Sequence, residues 1–183
     1  MIRLFFSLLI VLSSIEGFGR GDVYEVRAGK VHFSSEAPKE LISASSNQIK
    51  GALDARKKTF AFRIDISSFV GFNNALQRGH FNENYMESNM FPVATYKGKI
   101  IEDIDFGKDG VYEIRTKGKL NIHGVEQERI IKVRLTIKKG KIAVESDFTV
   151  MLTDHNIKIP RVVNDKLSPE IKVTVSASMQ PMS

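Results

Sequence analysis

Residues 111–138 read VYEIRTKGKLNIHGVEQERIIKVRLTIK, and the fold turns on how they alternate. Tyr112, Ile114, Thr116, Gly118, Leu120 and Ile122 share one parity, opposite Glu113, Arg115, Lys117, Lys119 and Asn121. After His123-Gly124 the rhythm resumes, with Ile131, Val133, Leu135 and Ile137 opposed to Lys132, Arg134, Thr136 and Lys138. A period of two means extended chain with one face buried and the other wetted. The His-Gly step between two such runs predicts a hairpin turn.

The same rhythm recurs outward from this hairpin. Phe60, Phe62, Ile64 and Ile66 oppose Ala61, Arg63 and Asp65; Ile142, Val144, Phe148, Val150 and Leu152 oppose Glu145, Asp147 and Thr149. Ile171, Val173, Val175, Ala177 and Met179 oppose Lys172, Thr174 and Ser176. Tyr24 to Phe33 and Leu41 to Leu53 are strand-like with weaker alternation, and Tyr96 to Ile104 makes a further strand. Ala37-Pro38, Asp54 to Lys58, Lys108-Asp109-Gly110 and Lys139-Gly140 supply turns. Only Ser67 to Met90 breaks the pattern: Phe69, Phe72, Leu76, Phe81 and Tyr85 are spaced by three to five. That spacing predicts one or two short helices, or an ordered loop, ending before Pro92. Roughly eight one-faced strands with few helices to cover them predict an all-β fold, an eight-stranded antiparallel barrel with a helical insertion. Closure removes the sheet edges and gives the apolar faces a common interior. A two-sheet sandwich is the alternative.

Composition narrows the functional classes. At 183 residues the chain predicts one domain with a sizeable core. Residues 1–19 have the layout of a secretory signal peptide: Arg3, the apolar run Leu4 to Leu12, then small residues up to Gly19. The barrel domain is therefore expected over 20–183, in the periplasm or secreted. The absence of cysteine excludes disulfides, thiolate nucleophiles and Cys-ligated metals. The formal net charge is +6, but the cations alternate with apolar residues and read as the wet faces of strands. Neither a dense basic run nor an aromatic platform supports nucleic-acid binding. A weak attraction to an anionic membrane surface or an acidic headgroup fits better.

The stretch MESNMFPVATYKGKI (Met86 to Ile100), followed by GKLNIHGVEQERIIKVRL (Gly118 to Leu135), resembles the YceI-like family of exported lipid-binding barrels. The matching features are Phe91-Pro92, the strand-opening Tyr96, and a hairpin carrying Gly118, Leu120, Ile122, Gly124 and Val125. The resemblance spans roughly Val31 to Met179. It implies a lipocalin-like barrel whose apolar tunnel holds a polyisoprenoid or fatty-acyl amphiphile, and it allows a homodimer. No cofactor is implied.

For such a tunnel the candidate lining residues are Phe60, Phe62, Phe69, Phe72, Phe81, Phe91, Tyr112, Ile122 and Phe148, though the same side chains would equally fill a solid barrel. Arg78, His80, Asn82 and Asn84 are candidates for a polar rim holding a headgroup, or ordinary surface residues. Catalytic and metal readings carry less. His80, His123 and His155 lack the close ligand pairs of metal sites, no serine lies in a Gly-x-Ser-x-Gly elbow, and Glu83 and Glu87 read most simply as a solvated helix face.

Overall fold

The computed structural model describes residues 22–182; the signal-peptide expectation for 1–19 lies outside them. Nine strands form one antiparallel sheet: β1 (Val23–Glu36), β2 (Leu41–Ser46), β3 (Lys50–Asp54), β4 (Thr59–Asp65), β5 (Val93–Ile100), β6 (Gly110–Ile122), β7 (Val125–Lys138), β8 (Lys141–Met151) and β9 (Glu170–Pro181). Their order is β2-β1-β3-β4-β5-β6-β7-β8-β9, and β1 pairs with β9 to close the sheet. Strands β2 and β3 lie against successive halves of β1, Val31–Glu36 and Val23–Glu25, so they share one position in the wall. The result is a closed eight-stranded barrel.

The alternation seen in the sequence is the wall itself. On β6, Ile114, Thr116, Gly118 and Leu120 are buried while the residues between them are exposed; on β7, Ile131, Val133, Leu135 and Ile137 are buried between exposed Lys132 and Arg134 and half-buried Thr136. His123-Gly124 and Lys139-Gly140 connect β6–β7 and β7–β8, all four residues having positive φ, between 51° and 73°. Two consecutive left-handed residues make a type I′ turn, whose twist matches that of the flanking strands.

Three segments differ from expectation. Leu41 to Leu53 is two strands, because the chain leaves the ladder at Asn47 and re-enters at Lys50. The strand expected to run to Ile104 ends at Ile100, and Ile104 and Phe106 instead turn in against the core. The strand expected to reach Leu152 ends at Met151, and residues 152–169 form a long connection with 3₁₀ turns at Leu152–His155 and Arg161–Val163. The insertion is irregular as predicted: a 3₁₀ turn (Ile66–Ser68), the short helix α1 (Ala75–His80) and a π-helical turn (Phe81–Tyr85). Asn74 caps α1, its Oδ1 accepting from the Gln77 N–H at 2.8 Å.

The two ends of the barrel are built differently. At one end, Tyr24, Ile137 and Ile142 pack with Ile104, Phe106 and Tyr112 into a solid plug. The insertion, the 152–169 connection and the turns at residues 37–40 and 123–124 gather at the other end.

Candidate functional site

Above the plug the barrel is hollow. A cavity of about 550 Å³ runs from a floor at Leu53, Phe60, Leu135 and Met179 to an opening beside α1. Its walls are the inward faces of the strands, including Val31, Ile64, Ile114, Ile131, Val133, Val144, Phe148, Val150 and Val173. At roughly 30 Å³ per water-sized group this is space for on the order of eighteen methylenes.

Aromatic rings concentrate near the opening. Phe33 stacks on Phe81 with centroids 5.3 Å apart, and Phe69 and Phe72 lie 5.3 and 6.0 Å from Phe33. Three of these four rings come from the insertion, which places Phe69, Phe72 and Phe81 over the end of β1. A second group lies deeper: the Phe60 ring is 5.7 Å from Phe62 and 5.0 Å from Tyr96.

Four hydroxyls in the wall are already bonded to the protein. The Tyr96 hydroxyl is 3.0 Å from Thr116 Oγ1, which donates to the Ile131 carbonyl at 3.1 Å; burial pushes the Tyr96 phenol above its ordinary pKa. Ser146 Oγ donates to the Lys132 carbonyl at 2.7 Å, and Ser35 Oγ accepts the Ser168 N–H at 2.8 Å. Among the described residues the buried side-chain polar atoms without a hydrogen-bond partner are Asn82 Oδ1 and His155 Nε2, and neither residue lines the cavity. An interior of this kind offers a polar substrate nothing to replace its lost water. An apolar chain loses no hydrogen bonds on entering.

Polarity returns at the opening, where Glu40, Asn74, Gln77, His80 and Lys166 contribute to the lining. Gln77 Nε2 donates to Glu40 Oε1 at 2.7 Å, and Lys39 pairs with Asp165 at 2.6 Å. These bonds hold α1, the β1–β2 turn and the 152–169 connection in a ring around the opening. His80 and Lys166 are exposed on that ring, and Lys166 makes no ion pair among the described residues.

Of the thirteen residues singled out from sequence, Phe60, Phe62, Phe69, Phe72, His80, Phe81, Ile122 and Phe148 line this one cavity. Five do not. Tyr112 has the inward parity but sits in the plug below the floor, its hydroxyl donating to the Lys108 carbonyl at 3.0 Å. Phe91 packs its ring on His123, centroids 4.6 Å apart, outside the opening. Arg78 points away along α1 to the Ser67 carbonyl at 3.1 Å, and Asn84 is exposed on the π-helical turn. Asn82, also considered for the rim, donates to the Arg78 carbonyl at 2.9 Å. Sequence reading missed Phe33, whose strand alternates weakly. It also missed Glu40, Gln77 and Lys166, which meet only through tertiary structure.

The histidines do not gather around a metal. His123 Nδ1 donates to the His155 carbonyl at 3.1 Å, and its Nε2 lies 2.7 Å from Glu87 Oε2. His155 is fully buried, its Nδ1 donating to the Val125 carbonyl at 3.1 Å, and loss of water holds its pKa below the usual histidine range. Among the described residues no group of three or more metal-ligating side chains converges.

Comparison with solved structures gives the same architecture at low identity. A polyisoprenoid binding domain from Saccharophagus degradans, implicated in plant cell wall breakdown, aligns with a TM-score of 0.74 at 15% identity, covering 86% of this chain and 98% of that one. BcnA of Burkholderia cenocepacia aligns with a TM-score of 0.67 at 14% identity, covering 82% and 95%. The YceI protein of Campylobacter jejuni covers 97% of this chain and 91% of its own, with a TM-score of 0.51 at 14% identity. Comparison with curated protein sequences gives no significant match. The YceI-like domain matches residues 24–179, from the second residue of β1 to within β9, and the chain belongs to the YceI-like family.

Proposed function

We propose that the protein is a non-catalytic carrier or store for a long-chain amphiphile, of polyisoprenoid or fatty-acyl class. The chain would occupy the cavity, with the headgroup at the ring of Glu40, Gln77, His80 and Lys166. The observation that carries this reading is the 550 Å³ apolar cavity whose Tyr96, Thr116, Ser146 and Ser35 hydroxyls are bonded within the wall. Each methylene withdrawn from water contributes about 0.8 kcal/mol, so about ten supply several kcal/mol before any headgroup contact. The polyisoprenoid binding domain among the structural neighbours agrees with this ligand class. Export to the periplasm or beyond rests on the sequence of residues 1–19. In that compartment the protein would shield the chain from water and touch membranes only transiently. No reaction is part of the proposal.

Native mass spectrometry of gently purified protein tests it. A mass above that of the bare chain, with an extractable lipid, is expected, as is uptake of a fluorescent polyene by the emptied protein. A charge at the middle of the wall, Phe148→Glu, should abolish uptake in a variant whose circular dichroism still shows a barrel. Bare mass, no extractable lipid and no uptake together would overturn the reading.

A further inference from the structure

The cations that are scattered in sequence are gathered by strand register on one outer wall. On β5 and β6, Lys97 stands directly opposite Lys119, and Lys99 opposite Lys117. On β6 and β7, Arg115 stands opposite Lys132. Directly opposed like charges destabilise a sheet, and three such pairs lie side by side here. Acidic side chains offset part of the field: Glu128 pairs with Lys117, Glu126 with Lys119, Glu102 with Arg115 and Glu113 with Arg134. Eight cations on these outer faces, Lys138 included, against these four acids leave a surplus of four, before counting Glu145 on β8, which stands opposite Arg134. Lys97, Lys99 and Lys132 have no ion-pair partner among the described residues. Ile130, 59% exposed, lies within this patch opposite Lys117.

The same wall is incompletely sealed. β6 and β7 pair over thirteen residues, from Gly110↔Ile137 to Ile122↔Val125. The β7–β8 ladder covers five, from Arg134↔Glu145 to Lys138↔Lys141. Beyond it, side chains reach across to carbonyls: Ser146 to Lys132 at 2.7 Å, Arg129 to Thr149 at 2.7 Å and Gln127 to Asp154 at 2.8 Å. The strand edges there border the cavity, since Ile131, Val133, Phe148 and Val150 line it.

We propose that the outer face of β5, β6 and β7 seats the barrel side-on upon an anionic lipid bilayer, bringing the β7–β8 seam against the membrane from which the cavity is filled. The inference rests on the amphiphile-carrier reading and names its donor surface. Three features select a bilayer over an acidic protein. The charge surplus is spread across three strands and is not focused in a cleft. An aliphatic side chain lies within it to enter the interface. And the neighbouring seam leads to a cavity that takes an apolar chain. A basic patch near an anionic bilayer gains roughly 1 kcal/mol for each cation within reach, and the attraction fades within a Debye length.

Co-sedimentation with vesicles is the test. The purified protein should bind vesicles containing phosphatidylglycerol, bind pure phosphatidylcholine vesicles far less, and release in molar salt, where screening is complete within ~3 Å. Lys97→Glu/Lys99→Glu/Lys132→Glu should weaken binding about a hundredfold. Lys30→Glu/Lys50→Glu/Lys172→Glu, the same charge change on the opposite side of the barrel, should weaken it much less. Equal loss in the two triple variants, equal binding to neutral vesicles, or no binding at all would overturn the docking proposal. Polyene uptake from detergent solution separates the two readings: uptake without vesicle binding removes the docking surface alone, whereas vesicle binding without uptake removes the carrier.

Discussion

The two ends of this barrel are made from the same strands and nearly the same residue types, yet one is solid and the other hollow. At the plugged end Ile137 and Ile142 are 2% and 1% exposed, and the β5–β6 loop folds Ile104 and Phe106 inward to meet Tyr24. At the open end Phe33, Phe72 and Phe81 remain partly exposed, although they come within 5 to 6 Å of one another. The difference lies in what the connections do. A loop that returns apolar side chains to the axis completes the packing. An insertion that spreads its rings around the axis leaves a space. One end thus supplies stability and the other capacity, and mutations should separate the two.

Truncation in the plug should give the largest effect on stability. Ile137→Ala removes a fully buried side chain from close packing, and such changes cost about 2–5 kcal/mol because the cavity left behind collapses only partly. Chemical denaturation of the emptied protein should show this loss, while polyene uptake below the unfolding transition stays close to that of the parent. Phe33→Ala should do the reverse. Its ring already borders a void, so unfolding should shift by less than in Ile137→Ala, while uptake falls because the stack with Phe81 is gone. Equal losses of stability in the two variants would mean that the open end is packed like the plug.

What the sequence disclosed follows from the same contrast. Strand alternation is a local property, so the faces of β4 and of β6 to β9 could be read directly, and with them the closed barrel. The hairpin turns were legible because His123-Gly124 and Lys139-Gly140 sit between two-residue rhythms, and the structure adds their type I′ geometry. Hollowness was not legible: Phe60 and Phe148 would read identically in a filled core, and Tyr112, with the same parity, lies in the plug. The opening was hidden because Glu40, Gln77 and Lys166 are brought together by segments without periodicity. Register decided the outer wall, since only pairing shows that Lys97 faces Lys119. Most of the fold therefore came from local pattern, and most of the site from tertiary position.

Acidification should weaken the open end selectively, through His155. This ring lies fully buried in the 3₁₀ turn after β8, facing carbonyl oxygen at Nδ1, with Asp154 and Arg129 as its charged neighbours. Loss of water lowers its pKa below the ordinary 6.5, the carbonyls opposing the shift only in part. The unfolded chain therefore binds a proton near pH 6.5 that the barrel resists. Between that value and the lowered folded one, the unfolded state holds more protons, and stability rises with pH. Lowering pH from 7 to 5 should thus destabilise the parent, and His155→Gln should flatten that part of the profile, as read by thermal melts across pH. Plug variants should keep the parent's slope over this window, since they leave the histidine in place.

The smallest contrast compares the two hairpin glycines, one at each end. Gly124 and Gly140 have nearly the same φ, +73° and +69°, so replacing either with alanine incurs the same backbone penalty of about 1–2 kcal/mol. Their surroundings differ. A Cβ on Gly140 would meet nothing within 4 Å, whereas on Gly124 it would stand 2.5 Å from the Phe91 ring. Phe91 in turn packs on His123, which links Glu87 to the 3₁₀ turn of His155. Gly124→Ala should therefore cost more than Gly140→Ala, by the work of moving that ring. Adding Phe91→Leu should shrink the difference by making room for the methyl group. If the two alanine variants melt together, Phe91 yields freely and the His123 contacts do not tie the hairpin to the insertion. If Gly124→Ala melts lower and also changes polyene uptake, the turn helps to hold the opening in shape, although its residues lie outside the cavity.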